Sequence, residues 1–292
     1  MTKPSEDNKA ANPYRLELPA VVAFSGGRTS GYMLRHILDA FGGKQPDDLQ
    51  VCFQNTGLEH AATYQFVEDC AKHWGVRINW LEYALDAESE PTYSVRNAVT
   101  ASRNGEPFTL LVQKKGYLPN PVARVCTVQL KMRTQDRYLK TLAGFSDGYT
   151  NAVGLRFDEP RRAQRIKSDN GRESIVCPLY EAGVTEADVV QWWAEQPFDL
   201  DLPMQGNSAG NCVGCFLKSR SKMEVLMREM PQYFDWWIKA EEVATTTAKT
   251  RAGSRFRSDR PSYANMMEMV KRQGMLPFAT DDDETMPCMC HD

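Results

Sequence analysis

The sequence predicts an α/β architecture, a parallel β-sheet flanked by helices and followed by a mostly helical C-terminal part. Three observations carry that prediction. Short apolar runs without polar alternation recur in the first half, as in strands buried on both faces. Segments with helical spacing of apolar residues separate them, the pattern of βαβ units. Beyond Cys215 only the helical period remains.

Ala20-Val21-Val22-Ala23-Phe24 reads as the first buried strand, ended by Ser25-Gly26-Gly27, and Met33, Leu34, Ile37, Leu38 and Phe41 then fall at helical spacing. A second strand covers Val51 to Phe53, followed by a helix with Phe66, Val67, Cys70 and Trp74 on one side. A third lies within Val76 to Tyr83, and a fourth at Asn151 to Leu155. Thr185 and Asp188 form a capping-box variant that opens a helix through Trp193. Residues 222–247 and 262–273 are helical and rich in Met and Trp, and the last dozen residues, with Asp281-Asp282-Asp283, read as a polar tail.

Composition narrows the class. Of 292 residues, 42% are hydrophobic and 25% charged, which excludes a disordered chain. No stretch approaches the roughly 18 consecutive apolar residues of a membrane span, and Met1 to Leu18 lacks the apolar core of a secretory signal. A soluble, cytoplasmic protein without a membrane partner is the expectation. With 35 basic and 38 acidic residues the net charge is −3, so charge alone does not drive the whole chain onto nucleic acid.

Ser25-Gly26-Gly27-Arg28-Thr29-Ser30 lies between the first strand and the first helix. Its glycines allow a tight turn and close approach of backbone N–H groups to an anion, and the helix points its positive end at the same place. The hydroxyls of Ser25, Thr29 and Ser30 add donors and Arg28 adds charge. After the second strand, Asn55-Thr56-Gly57-Leu58-Glu59 opens at the same edge of the sheet, where such sheets bind ligands. The other reading of that segment is a helix cap, with Asn55 or Thr56 leading into the helix. Arg255-Phe256-Arg257-Ser258-Asp259-Arg260 is either a basic and aromatic track for a nucleic-acid backbone or a surface helix cap.

Eight cysteines stand at 52, 70, 126, 177, 212, 215, 288 and 290. Without a signal peptide they point to metal or redox work in a reducing compartment. Cys52 and Cys70 sit in apolar runs and read as core. Cys212-Val213-Gly214-Cys215 is a Cys-x-x-Cys, which suits zinc, iron–sulfur or a redox pair.

Taken together these motifs carry a resemblance. The strand–Ser25-Gly26-Gly27-x-x-Ser30–helix arrangement resembles the PP-loop of the ATP-pyrophosphatase, or adenine nucleotide α-hydrolase, superfamily, with Arg28 and Thr29 where that loop often carries Lys and Asp. Asn55-Thr56-Gly57-Leu58-Glu59 followed by Thr63-Tyr64 and Phe66 resembles the phosphoadenosine phosphosulfate (PAPS) reductase branch. So does the series Arg124-Val125-Cys126-Thr127 with Lys131, then Gly154-Leu155-Arg156-Phe157-Asp158-Glu159 with Arg161, Arg162 and Arg165, then Cys177-Pro178-Leu179 and Asn211-Cys212-Val213-Gly214-Cys215. The series is also similar to DNA-phosphorothioation sulfurtransferases, and it spans roughly Val21 to Cys215.

The resemblance implies an adenine nucleotide α-hydrolase-like fold over residues 19–218, with a flexible segment at 1–18, a helical region at 219–280 and a Cys-containing tail at 281–292. It implies ATP or PAPS as nucleotide, Mg with ATP, and phosphate contacts from Ser25, Gly26, Gly27, Arg28, Thr29, Ser30, Asn55, Thr56, Gly57, Glu59, Lys131 and Arg162. Cys126, Cys212 and Cys215 align with three ligands of a 4Fe–4S cluster and Val125 stands where a further Cys would be; Cys290 is taken as the fourth ligand ahead of Cys177 and Cys288, or the fourth iron stays open to carry sulfide or substrate. Zinc is the alternative metal. The tail Cys288-Met289-Cys290-His291 loosely resembles the nucleophilic C-terminal motif of the reductases, which makes Cys288 and Cys290, with Arg156, the catalytic candidates.

The leading reading is ATP-dependent sulfur transfer at a Cys-ligated iron–sulfur centre. The alternatives are thiol-dependent reduction of PAPS to sulfite and a non-catalytic, zinc-stapled module that binds nucleotide or nucleic acid. Implied partners are a sulfur or electron donor protein, such as a cysteine desulfurase or thioredoxin, and a nucleic-acid acceptor.

Overall fold

The computed structural model describes residues 12–166, 171–203, 209–247 and 251–273. In chain order its strands are β1 (Ala20–Ala23), β2 (Leu49–Gln54), β3 (Ile78–Leu85), β4 (Pro91–Arg96), β5 (Tyr149–Val153) and β6 (Glu173–Val176). The helices are α1 (Arg28–Ala40), α2 (Ala61–Trp74), α3 (Glu106–Lys115), α4 (Arg133–Leu139), α5 (Pro160–Ile166), α6 (Pro178–Glu181), α7 (Glu186–Ala194), α8 (Arg220–Glu229), α9 (Asp235–Thr247) and α10 (Tyr263–Gln273).

The strands form one sheet in the order β4-β3-β2-β1-β5-β6. All neighbours are parallel except β3 and β4. The predicted α/β class with a helical C-terminal region is therefore what the chain adopts. β1 lies between β2 and β5, so the chain leaves it toward one side and later returns on the other. The loops after β1, β2 and β5 emerge together at that switch point, at the carboxyl ends of the strands, which is where sheets of this kind bind ligands.

Most predicted elements are present with shifted ends. The Thr185 capping box forms as expected: Asp188 N donates to Thr185 Oγ1 at 3.4 Å, and Thr185 N donates to Asp188 Oδ2 at 2.8 Å. Several features were absent from the prediction, among them helices α3, α4, α5 and α6, strands β4 and β6, and a π-helix. β4 is a half-exposed edge strand that begins at a proline, a residue edges tolerate because they need not donate on both sides. β6 has only four residues. Thr127–Met132 forms a π-helix, a rare geometry that often marks functional positions. The continuous helix expected over 222–247 is broken at Pro231, which starts a 3₁₀ turn between α8 and α9.

One core group packs Val22, Phe24, Val51 and Phe53 against α1, α2 and α7. On the opposite face Val21, Cys52 and Leu81 meet Tyr138 and Leu139 of α4. A third group joins the helical C-terminal region to α3, through Phe108, Leu111, Phe216, Phe234, Trp237, Phe256 and Tyr263. Cys52 and Cys70 are fully buried as predicted, and burial pushes both thiols up from their ordinary range.

Trp193 fastens α7 to the start of α1. Its indole N–H donates to the Arg28 carbonyl at 2.8 Å, and its ring lies over Gly31, where a Cβ would stand 2.7 Å from the ring. Gly31→Ala is expected to lower unfolding stability by about 1–3 kcal/mol through overpacking. Urea denaturation followed by far-UV circular dichroism measures it. An unchanged midpoint would mean that α1 and α7 part without cost.

Candidate nucleotide site and cysteine loop

The turn after β1 has the conformation an anion cradle needs. Gly26 takes a φ of +77°, and a Cβ there would meet Thr63 Cγ2 at 2.8 Å and the Phe53 and Val67 side chains at 3.1 Å. Glycine is required on both counts. Ser30 sets the start of α1: its Oγ accepts from Gly27 N at 3.3 Å, donates to Gly27 O at 2.9 Å and lies 2.9 Å from Ser25 Oγ. No acidic residue occupies the first turn of this 13-residue helix, whose positive end is thus free of a carboxylate of its own. Ser25, Gly26 and Gly27 line a small cavity together with Thr63, Gly210 and Asn211. The Thr63 hydroxyl is buried there and has no hydrogen-bond partner among the described residues.

The two arginines behave differently. Arg28 forms a bidentate pair with Asp199, 2.7 Å on each branch, and also donates to Leu200 O at 2.8 Å. Its fork is turned to the loop before Cys212. Arg156 comes from the loop after β5 and donates to Thr29 Oγ1 at 3.1 Å, which places its guanidinium at the rim of the turn. Carboxylates hold it there: Asp158 at 3.0 Å, Glu186 at 3.6 Å and Glu159 at 3.9 Å. Glu159 also pairs with Arg162. Lys131 sits in the last turn of the π-helix.

The Asn55–Glu59 loop is built inward. Asn55 donates to Glu82 Oε1 at 2.6 Å and accepts from Gly57 N at 3.0 Å. The buried Glu59 carboxylate accepts from Thr56 Oγ1 at 2.7 Å, Thr56 N at 3.2 Å, Leu58 N at 3.1 Å and Tyr64 OH at 3.1 Å. Burial, and next the Glu59 charge, raise the Tyr64 phenol above its ordinary range. The cap of α2 is neither Asn55 nor Thr56 but His60, whose ring accepts from Ala62 N at 3.1 Å.

This loop meets the Cys-x-x-Cys segment. Glu59 and Cys212 form an antiparallel bridge, Val213 N donates to Leu58 O at 3.0 Å, and Cys212 Sγ lies 3.2 Å from Thr56 Oγ1. Lys218 then clamps the turn by donating to the carbonyls of Gly210, Cys212 and Val213 at 2.9, 2.9 and 3.0 Å. Tyr263 OH donates to Gly214 O at 2.6 Å, and Trp237 covers Gly214 so closely that a Cβ would stand 2.3 Å from its indole nitrogen. The basic cluster 255–260 is part of the same construction. Phe256 is core, Arg257 and Arg260 are buried, and they donate to Phe216 O and Lys218 O. Neither a backbone track nor a surface cap describes it.

Cys126, which opens the π-helix, and Cys215 both pack against the core group that contains Cys212. Cys177 belongs to a different group, with Ala23, Val153 and Leu155, so it does not complete that set. Cys288 and Cys290 lie outside the described residues. Among the described residues no three His, Cys, Asp or Glu side chains gather as a metal-holding set. The nearest carboxylate to Cys212 Sγ, Glu59 at 4.0 Å, has the sign of a thiolate. The described donors do not make up a 4Fe–4S or a zinc site.

Comparison with known proteins agrees with this architecture. The phosphoadenosine phosphosulfate reductase domain model matches residues 19–216. An uncharacterised nin region protein of Escherichia phage lambda is 33% identical over 215 residues, 72% of this chain and 69% of its own. An uncharacterised protein of Methanocaldococcus jannaschii is 23% identical over 228 residues, 76% of this chain but 41% of its own length. No helix among the described residues is long and apolar enough to cross a membrane.

Two measurements test the construction. Glu59→Ala strands the Thr56 and Tyr64 hydroxyls and is expected to cost about 2–4 kcal/mol of unfolding stability, read in urea; a loss below about 1 kcal/mol would remove the carboxylate from its structural role. The second concerns pH. Hydrogen bonds from Arg257 hold the Asp259 carboxyl down to about 2. A depressed carboxylate stabilises above its unfolded value of about 3.9 and loses that contribution as pH falls through its folded value. The stability difference between the parent and Asp259→Asn is expected to shrink between about pH 4 and pH 2, and a constant difference would contradict the pairing.

Proposed function

The chain belongs to the phosphoadenosine phosphosulfate reductase domain family of nucleotide-binding sulfur-metabolism proteins, and on that premise we propose that it is an ATP-dependent sulfurtransferase. The phosphates of the nucleotide rest on the Ser25–Ser30 turn. The observation that carries this reading is the Gly26 cradle: a left-handed glycine with no room for a Cβ, at the positive end of α1, with the Thr63 hydroxyl, which has no partner among the described residues, in its floor.

In this reaction an acceptor oxygen attacks the α-phosphorus of ATP and pyrophosphate leaves. The terminal sulfur of a donor protein's persulfide then displaces AMP, and a second thiol of the donor cleaves the resulting disulfide, leaving the sulfur on the acceptor and a disulfide on the donor. Arg156, held at the rim by Thr29 and its carboxylates, meets the charge that develops on the non-bridging oxygens as the first bond forms. Mg accompanies the leaving pyrophosphate as part of the substrate. Arg28, paired with Asp199, orients the segment before Cys212 and leaves the charge stabilisation to Arg156. Among the described residues Cys126, Cys212 and Cys215 do not gather as a metal-holding set, and Cys290, the fourth iron–sulfur ligand implied by the resemblance, lies outside them.

Pyrophosphate release from Mg-ATP, assayed with small RNAs, DNA oligonucleotides and nucleotides as acceptors, tests the proposal. Gly26→Ala is expected to weaken ATP binding at least about tenfold, since it combines a strained φ with a clash. Arg156→Ala is expected to lower kcat about 10²–10³-fold while ATP affinity changes little. Sulfite released from PAPS, with no pyrophosphate from ATP, would replace transfer by reduction.

A further inference from the structure

Phe157 is the one aromatic among the large exposed hydrophobic side chains of the described residues, the rest being Val and Met, and it is 53% exposed. It lies between Arg156 and Asp158 in the loop after β5. Its position is held from behind. The Tyr180 ring stands 5.4 Å away at 37°, and Phe157 N donates to Val184 O at 2.8 Å. The loop that carries Arg156 to Thr29 therefore also presents a braced, partly open aromatic ring, next in the chain to Arg156.

The sheet topology says what meets it. With the phosphates on the turn after β1, as proposed above, the loop after β5 flanks them on the side of β1 away from β2. The arginines there are paired with carboxylates: Arg156 with Asp158 and Glu186, and Arg162 with Glu159. An open ring among arginines that already have carboxylate partners favours a planar, uncharged ring over a bare anion, and stacking on aromatic faces is how proteins hold unpaired bases.

We infer that Phe157 is a stacking platform for a nucleobase of the acceptor substrate. The inference rests on the nucleotide lying at the Ser25–Ser30 turn, and the acceptor is then a free nucleotide or an unpaired base in a nucleic-acid strand.

The test uses the full chain. Fluorescence anisotropy measures binding of labelled single-stranded RNA and DNA of about 12 nucleotides, and competition measures binding of free pyrimidine and purine monophosphates. ATP affinity is measured separately by calorimetry. Phe157→Ala is expected to weaken at least one probe about 5- to 100-fold, the size of one stacked base. Phe157→Trp is expected to preserve binding, and ATP affinity is expected to stay constant across all three proteins. Tight binding of strands only assigns a nucleic-acid acceptor, and binding of monophosphates assigns a small one. Equal affinities in parent and Phe157→Ala, or no binding of any probe, would overturn the inference. A fall in ATP affinity in Phe157→Ala would overturn it too, by placing adenine on the ring. If the parent binds probes through Phe157 but not ATP, the reading of the phosphate turn fails and the nucleobase site stands.

Discussion

The carboxylate of Glu59 is withdrawn from solvent and held by hydroxyl and amide donors, Thr56, Leu58 and Tyr64 among them. A buried charge is costly unless its hydrogen bonds are complete, so these donors have little freedom to move. Their rigidity is passed to two other parts of the molecule. Through Leu58 and the bridge to Cys212 it reaches the cysteine loop and the helical C-terminal region behind it. Through Tyr64, Thr63 and α2 it reaches the floor beneath Gly26. The phosphate turn and the cysteine loop are thus two edges of one polar knot at the end of β2.

That connection explains how the site's charges are divided. Arg28 and Arg156 flank the same turn but have different partners. Arg28 spans to Asp199 and ties the turn to the segment leading into Cys212. Arg156 arrives from the opposite side of β1, and the surrounding carboxylates fix its direction without closing it off from Thr29. A guanidinium oriented in advance does not need to reorganise when charge appears in a reaction. Cys212 belongs to the same construction, touching Thr56 within the knot.

The parts of the fold that were hard to read have physical causes. β4 is polar and half exposed, and it pairs only because β3 offers it a free edge. Nothing in Thr127 to Met132 distinguishes a π-helix from an α-helix, since both bury similar faces; the packing of α3, β3 and α4 around it sets the register. The 255–260 segment looked superficial because it is charged. Its arginines are buried as clamps on carbonyls, which a linear sequence does not reveal. Asp199, Lys218 and Glu186 were also missed, because each acts on a residue far away in the chain or across a loop.

Strand runs, helical periodicity, the capping box at Thr185 and the glycines of the β1 turn were legible from sequence alone, because each depends on residues within a few positions of one another. The family resemblance was legible for the same reason, being a series of local motifs. What required the tertiary structure was partnership: which arginine faces the turn, what Glu59 touches, and whether the cysteines assemble. Those depend on contacts between residues as distant as Glu59 and Cys212 or Arg28 and Asp199. In such contacts the free energy comes from desolvation and complete hydrogen bonding, which the packed fold alone decides.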